Sequence, residues 1–177
     1  MLGLSAYNAA VITAEQETAI WFEALLAQGV AKQGKSEADV AKQSANWLMS
    51  ELLGALNKMG KDLDSSPVSP VQGAELLALI ADGTISGSIA KQVFEIMLET
   101  GQGASDIVEE KGLKQTSDTG AIDAEIAKII AANPDKVADY KGGKDKLFGF
   151  FVGQTMKAMQ GKANPQIIND LLKKALS

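Results

Sequence analysis

The chain has 177 residues, is 46% hydrophobic and carries 17 basic against 22 acidic side chains, for a net charge of −5. It contains no Cys and no His, and every basic residue is a lysine. These absences exclude disulfides, thiolate nucleophiles and catalytic triads built on histidine, and they argue against a self-contained active site. We therefore predict no catalytic residue and no metal site in this chain.

Helix start and stop signals recur from the N-terminus onward. Thr13, with Gln16 as its capping-box partner, predicts a helix that ends before Gly29. Ser36 predicts the cap of a second helix, which continues as far as the stop signal Gly60.

The middle of the chain carries the strongest start signal. The run Ser69-Pro-Val-Gln72 combines a cap, a first-turn proline and a capping-box glutamine, and it predicts a helix over Val71–Ala81. A further helix is predicted over Gly87–Thr100. Ser105 is expected to cap a short helix after it.

The polar segment Lys114–Gly120 lacks an apolar stripe and is the best candidate for a domain linker. Beyond it, Asn133 and Asn164 each precede a proline, which is typical of a helix cap followed by the first helical position. We therefore predict an all-α chain of two small helical bundles, with a helical domain over 1–114 and a bundle of three to four helices over 118–177. The helices predicted in the second bundle are Ala121–Ala132, Pro134–Lys141, Lys144–Gln160 and Pro165–Leu176.

The net charge hides an asymmetry along the chain. Residues 1–70 have 5 lysines and 8 acids, residues 71–140 have 5 and 12, and residues 141–177 have 7 and 2. The three net charges are −3, −7 and +5, which sum to −5. A basic segment on an acidic chain is typical of an interaction surface, although lysines are also favoured at helix C-termini.

A helical wheel divides the helix Lys144–Gln160 into two faces. One face is apolar and is expected to contact the core. The other carries two glycines, each of which costs about 1 kcal/mol relative to Ala. The compensation is either close packing against another helix or the approach of an RNA backbone. The candidate RNA contacts are Lys144, Lys146, Phe150, Gly153, Lys157 and Lys162.

No segment of the sequence predicts a membrane span. The longest uncharged runs, Met1–Ala14 and Leu147–Met156, fall short of the roughly 18 apolar residues that a spanning helix needs. The N-terminus lacks the basic region of a signal peptide, so we predict a cytoplasmic location. Trp21 and Trp47 lie among apolar residues at helical spacing and are expected to anchor the core.

Several segments are familiar in combination, and they follow one another in a known order over essentially the whole chain. They are Gly3-Leu-Ser-Ala-Tyr-Asn8, Ala45-Asn-Trp-Leu-Met49, Ser66-Pro-Val-Ser-Pro70, Asp82-Gly-Thr-Ile-Ser-Gly87, Gly149-Phe-Phe-Val-Gly-Gln154 and Gly161-Lys-Ala-Asn-Pro165. Together they closely resemble the C-terminal region of GatB, one of the subunits of the tRNA-dependent aspartyl/glutamyl-tRNA amidotransferases, within the YqeY-like family. The opening segment favours GatB over a free-standing YqeY protein.

The resemblance implies a parent enzyme that amidates glutamate or aspartate misacylated on the tRNA for glutamine or asparagine. That enzyme uses ATP and Mg²⁺, takes ammonia from a glutaminase subunit, and carries its kinase-like site in an N-terminal cradle domain. This chain is therefore expected to be a fragment without the chemistry and without a cofactor of its own. Contacts with the other amidotransferase subunits (A and C) would run through the missing domain.

The resemblance also implies that the helical domain and the YqeY-like tail domain hold tRNA from its elbow side. The first hypothesis is accordingly a non-catalytic region that binds and positions tRNA. The alternative is a structural or protein-interaction helical module, such as a free-standing YqeY-like protein, which buries its glycine face and contacts no RNA.

Overall fold

The protein is described by a computed structural model that covers residues 2–116 and 118–176. These residues form α-helices joined by turns and loops, with no strand among them, so the prediction of an all-α chain is confirmed. None of these helices is long and apolar enough to cross a membrane. The helices are α1 (Ala6–Ala14), α2 (Gln16–Gln33), α3 (Glu37–Trp47), α4 (Leu53–Met59), α5 (Pro70–Ala81), α6 (Gly87–Thr100), α7 (Ala104–Glu110), α8 (Thr119–Ala132), α9 (Pro134–Lys141), α10 (Leu147–Ala158) and α11 (Pro165–Leu176), with a π-helical turn at Leu48–Leu52.

The chain divides into two compact units. The first contains the residues up to Thr84 and Ala90–Gly112, and the second contains Ile85–Ile89 and the residues from Leu113 onward. The start of α6 thus belongs to the second unit, although most of that helix belongs to the first. The sequence does not predict that Ile85–Ile89 belong to the second unit. The division into domains 1–114 and 118–177 stays a prediction.

Two tryptophans organise the core of the first unit. Trp21 of α2 and Trp47 of α3 stack with their ring centroids 6.3 Å apart, and Phe94 of α6 meets Trp47 edge-on at 5.3 Å. Each tryptophan is only 8% exposed, so the prediction that they anchor the core is confirmed. Aromatic pairs with this geometry contribute about 0.5–1.5 kcal/mol beyond the area they bury.

Helix α5 approaches this aromatic cluster through Gly73. A Cβ at that position would lie 2.9 Å from Cζ3 of Trp47 and 3.2 Å from Cδ1 of Leu25. The first distance is shorter than two carbon atoms tolerate. The missing side chain therefore lets α5 pack directly against the ring of Trp47.

The predicted capping box of Thr13 and Gln16 is wrong. Thr13 lies inside α1, where its hydroxyl donates to a carbonyl of the preceding turn, and α2 begins after Glu15 without a side-chain cap. Helix α1, which the sequence pattern does not predict, is capped by Ser5, whose side chain accepts from the Asn8 amide. A threonine hydroxyl serves either purpose, and the local pattern does not choose between them.

Helix α2 does not end before Gly29, as predicted, but continues to Gln33. A Cβ at Gly29 would lie 2.7 Å from Cγ1 of the fully buried Val40, so this glycine is a close-packing point between α2 and α3. The helix ends instead at Gly34, which adopts a φ of 61°. A glycine in a helical pattern has either role, and only the neighbouring helix decides which.

The next predicted helix has the expected ends but an irregular middle. Ser36 accepts from the Asp39 amide at 3.2 Å, and Gly60 ends α4 with a φ of 65°. Between them the backbone widens into the π-helical turn, where Leu48 and Leu52 are fully buried. The helix therefore changes its pitch while it keeps both leucines in the core.

The capping box of α5 is confirmed, since the side chain of Gln72 accepts from the Ser69 amide at 2.9 Å and the Ser69 side chain accepts from the Gln72 amide. The predicted cap of α7 by Ser105 is wrong. The carboxylate of Glu75, on α5, accepts from the Ala104 amide at 3.2 Å and supplies the cap from another helix.

The core of the second unit is built mainly from α8, α10 and α11, while α9 packs at its edge. Side chains from these helices meet in a single apolar cluster, in which seven residues are buried. They are Ile122, Ile126, Phe151, Ala163, Ile168, Leu172 and Leu176.

The predicted linker is attached to this unit by backbone hydrogen bonds. The Thr116 amide donates to the Lys162 carbonyl at 2.6 Å, and the Asn164 amide donates to the Thr116 carbonyl at 3.2 Å. Asp118 then caps α8, which begins two residues earlier than predicted. Ser117, within the predicted linker, lies outside the described residues.

We expect Gly73→Ala to destabilise the first unit, because the new methyl group must displace the ring of Trp47, which Trp21 and Phe94 hold in place. Overpacking of this kind costs about 1–3 kcal/mol, against the roughly 1 kcal/mol that Ala gains over Gly in a helix. The control is Gly54→Ala in α4, where a Cβ meets no atom within 4 Å and the variant should gain up to about 1 kcal/mol. Urea unfolding measures both, and equal shifts would contradict the packing argument.

Candidate nucleic-acid interface

Helix α10 turns one face into the core of the second unit. Phe151 and Thr155 are fully buried, and the Thr155 hydroxyl donates to the Phe151 carbonyl at 2.9 Å. Gly149 and Gly153, which are four residues apart and therefore share a face, lie exposed. The two-faced helix expected from the wheel is confirmed. Thr155 also lies on the core face, although its polar side chain left it out of the predicted apolar face.

The two exposed glycines have open space where their side chains would stand. Beyond the adjoining residues and the helix's own backbone, no described heavy atom lies within 4 Å of a Cβ built on Gly149 or Gly153. Close packing against another helix of the described chain is therefore the wrong explanation for these glycines. In the first unit, Gly29 and Gly73 do permit close packing, since a Cβ at these positions would lie 2.7 Å from Cγ1 of Val40 and 2.9 Å from Cζ3 of Trp47, respectively.

Helix α10 is shorter than the predicted Lys144–Gln160. Lys146 occupies its N-cap position, and Lys144 precedes it in the loop after α9. At the other end Gln160 has a φ of 54°, so the chain has already left the helix in the left-handed region. The helix therefore ends at Ala158, before the predicted Gln160, while Lys157 stays in the last turn.

We define the glycine–lysine surface as Lys146, Gly149, Gly153 and Lys157. Both lysines are exposed, and no ion pair joins either of them to a described carboxylate. Residues at these spacings fall on one side of a helix. The surface therefore offers two ammonium groups flanking a stretch of uncovered backbone.

The other two predicted lysines have different surroundings. Lys144 pairs with Asp139 of α9 at 2.9 Å, with side chains 65% and 50% exposed. Lys162 is half-buried and follows α10, where its carbonyl accepts from the Thr116 amide. These two lysines come from the loops at the two ends of α10 rather than from the helix itself.

Phe150 is half-buried and already engaged. Its ring meets the buried Phe151 edge-on at 5.4 Å, and the ammonium of Lys136, on α9, lies 4.8 Å from its centroid. Lys136 is not among the predicted contacts, because it falls in the segment with a net charge of −7. Charge counted along the chain does not show that a lysine on one helix lies next to a ring on another.

The two asparagines that precede prolines behave differently. The side chain of Asn164 accepts from the Gln166 amide at 2.9 Å, as expected for a cap of α11. Asn133 occupies the N-cap position of α9, but its side chain donates to the Ile129 carbonyl at 2.8 Å and caps no amide. The predicted placement of Asn133 before the first helical residue is confirmed, but the side-chain cap is wrong, because an amide side chain both donates and accepts.

The described residues thus define an all-α protein with an open glycine–lysine surface on one helix. The family described as "GatB domain" matches residues 27–176, and the chain belongs to this family. It is 73% identical over 99% of its length to the GatB subunit of the aspartyl/glutamyl-tRNA(Asn/Gln) amidotransferase of Novosphingobium aromaticivorans, and 70% identical to that of Rhizorhabdus wittichii over the same share. The corresponding protein of Nitrosococcus oceani is 54% identical over 98% of the chain. The chain spans 35% of the length of each of these relatives, and the resemblance found in the sequence is confirmed.

We expect Gly149→Ala and Gly153→Ala each to stabilise the chain by up to about 1 kcal/mol, because Ala is the better helix former and the added methyl group meets open space. The control is Gly161→Ala, which should destabilise by about 1–2 kcal/mol because Gly161 has a φ of 73°. Thermal and urea unfolding measure these changes. Destabilisation by Gly149→Ala or Gly153→Ala would show that the glycines are packed after all.

Proposed function

We propose that this chain is a non-catalytic region that binds and positions tRNA within a tRNA-dependent amidotransferase. Such an enzyme converts Glu-tRNA(Gln) or Asp-tRNA(Asn) to the amidated form, using ATP and ammonia from glutamine. Support for the enzyme comes from membership of the GatB domain family and from identities of up to 73% to GatB subunits of amidotransferases. The observation that carries the RNA-binding role is the open glycine–lysine surface.

The cost of the glycines supports this role. Two glycines inside a helix cost about 1 kcal/mol each, and no packing contact within the described chain offsets that cost. A bare stretch of helix between lysines admits a sugar–phosphate backbone closely, while the ammonium groups contact its phosphates. Gly153 is the proposed point of closest approach, between Lys146 and Lys157.

The remaining candidates would extend this surface at both ends. Lys144 adds a contact before α10 and Lys162 adds one after it, while Phe150 supports the helix face between them. Lysine contacts to phosphates fix position and orientation but read no sequence. Selection among tRNAs would then depend on the shape of the elbow.

We propose that the amidation chemistry, with its ATP and Mg²⁺, belongs to other parts of the parent enzyme, as do the contacts with the other amidotransferase subunits (A and C). Among the described residues, no group of three or more His, Cys, Asp or Glu side chains is placed to hold a metal ion. We assign no reaction step to this chain. The proposed setting of the parent enzyme is the cytoplasm.

A second candidate, a helical module that docks on protein without touching RNA, is favoured by two features of the first unit. Tyr7 and Ile20 are 70% and 57% exposed. An apolar cavity of about 360 Å³, lined in part by Leu4, Ile12 and Phe22, lies in the same unit. Salt dependence separates the two candidates, because an apolar docking surface does not release counterions.

The test is equilibrium binding of unacylated tRNA to the chain as salt is varied. Three to four phosphate contacts predict a log–log slope of about −2 to −4. Lys146→Glu combined with Lys157→Glu removes two contacts, which corresponds to at least about a 25-fold loss of affinity at 0.1 M salt.

The matched control reverses two lysines outside the surface, Lys128→Glu and Lys173→Glu, and should cost much less affinity. Both control residues are exposed, and Lys128 pairs with Glu125. No binding at low salt, or equal losses for the two double variants, would refute the RNA-binding role and leave the docking module.

A further inference from the structure

Every aromatic ring of the second unit is already engaged within that unit. Tyr140 lies 6.1 Å from Phe148, and Phe150 lies 5.4 Å from Phe151, measured between ring centroids. None of the four is among the exposed large hydrophobic side chains. Proteins that hold unpaired bases stack them on available aromatic faces. This unit therefore offers lysines to a nucleic acid, and its rings serve another purpose.

Phe150 shows what that purpose is. The ammonium of Lys136 lies 4.8 Å from its ring centroid, within the range in which a cation is attracted to an aromatic face. Lys136 is on α9 and Phe150 on α10, so the contact joins two helices. The lysine side chain, which otherwise samples many rotamers, is thereby directed toward the helix that carries the glycine–lysine surface.

We propose that Lys136 is a further phosphate contact of the RNA site and that Phe150 is its positioning residue, acting through the cation–aromatic contact and not by stacking on a base. This inference rests on the proposed function, and it names the ligand of the site as the sugar–phosphate backbone of folded RNA. Lys136 adds an ammonium from α9 to those of the surface on α10. Because Lys136 lies on α9, the proposed site extends beyond the single line of residues along α10.

The experiment is a double-mutant cycle on the whole chain, with binding of an unmodified tRNA transcript followed by fluorescence anisotropy at several salt concentrations. Lys136→Ala should weaken binding about five- to eightfold at 0.1 M salt and reduce the salt slope by about 0.7–0.9, as expected for one phosphate contact. Phe150→Leu should weaken binding in the natural chain and have no further effect in the Lys136→Ala background. Phe150→Tyr keeps the aromatic face and should bind as the natural chain does.

Two controls keep the outcomes separate. Lys128→Ala removes a lysine that pairs with Glu125 on α8. The affinity of this variant for tRNA should stay within about twofold of that of the natural chain. Circular dichroism and urea unfolding report whether Phe150→Leu keeps its fold. If it does not, Lys136→Ala and Phe150→Tyr still decide the matter.

Each contrary result has one meaning. An unchanged affinity and salt slope for Lys136→Ala would overturn this inference while the glycine–lysine surface stands. A full effect of Phe150→Leu in the Lys136→Ala background would show that the ring itself contacts RNA, which also overturns it. Failure of the natural chain to bind tRNA at low salt would refute the proposed function, and this inference with it.

Discussion

The burial of Phe151 is the constraint on which the candidate site depends. Its ring has no exposed surface and lies in one cluster with residues of α8 and α11, and full burial of such a side chain contributes about 1.5–3 kcal/mol. Successive residues of a helix are about 100° apart, so fixing Phe151 also fixes the directions of Gly149, Gly153 and Lys157. The glycine–lysine surface is therefore held in place by a ring on the opposite face, and not by contacts among its own residues.

The chemistry of that surface follows from the absence of arginine. An ammonium group meets a phosphate as a compact charge and lacks the planar fork with which a guanidinium fixes its partner. Orientation has to come from elsewhere in the fold. The helix fixes Lys146 and Lys157 by their spacing, while a ring on α10 directs Lys136 from α9. Uncovered glycine backbone between such lysines suits a ligand recognised by its shape and charge.

The predictions that hold are those whose partners lie within a few residues. Ser36 and the Ser69–Gln72 box cap helices because the amides they satisfy are three residues away. The predictions that fail involve a competing partner. Thr13 bonds back to its own helix, Asn133 donates instead of accepting, and Glu75 of another helix supplies the cap expected from Ser105. The local sequence shows which hydrogen bonds a polar side chain is able to make, whereas the packing around it decides which of them it makes.

The candidate site divides in the same way. Composition and periodicity determine by themselves that the chain is all-α, that its last 37 residues carry a charge of +5, and that α10 has one apolar and one glycine-bearing face. Only the tertiary structure decides that Gly29 and Gly73 are packing points while Gly149 and Gly153 face open space, since the atoms that fill or vacate those places come from distant helices. It also decides that Phe150 is covered by Lys136. A contact between α9 and α10 depends on how the helices pack around a shared core, and no count along the chain contains that information.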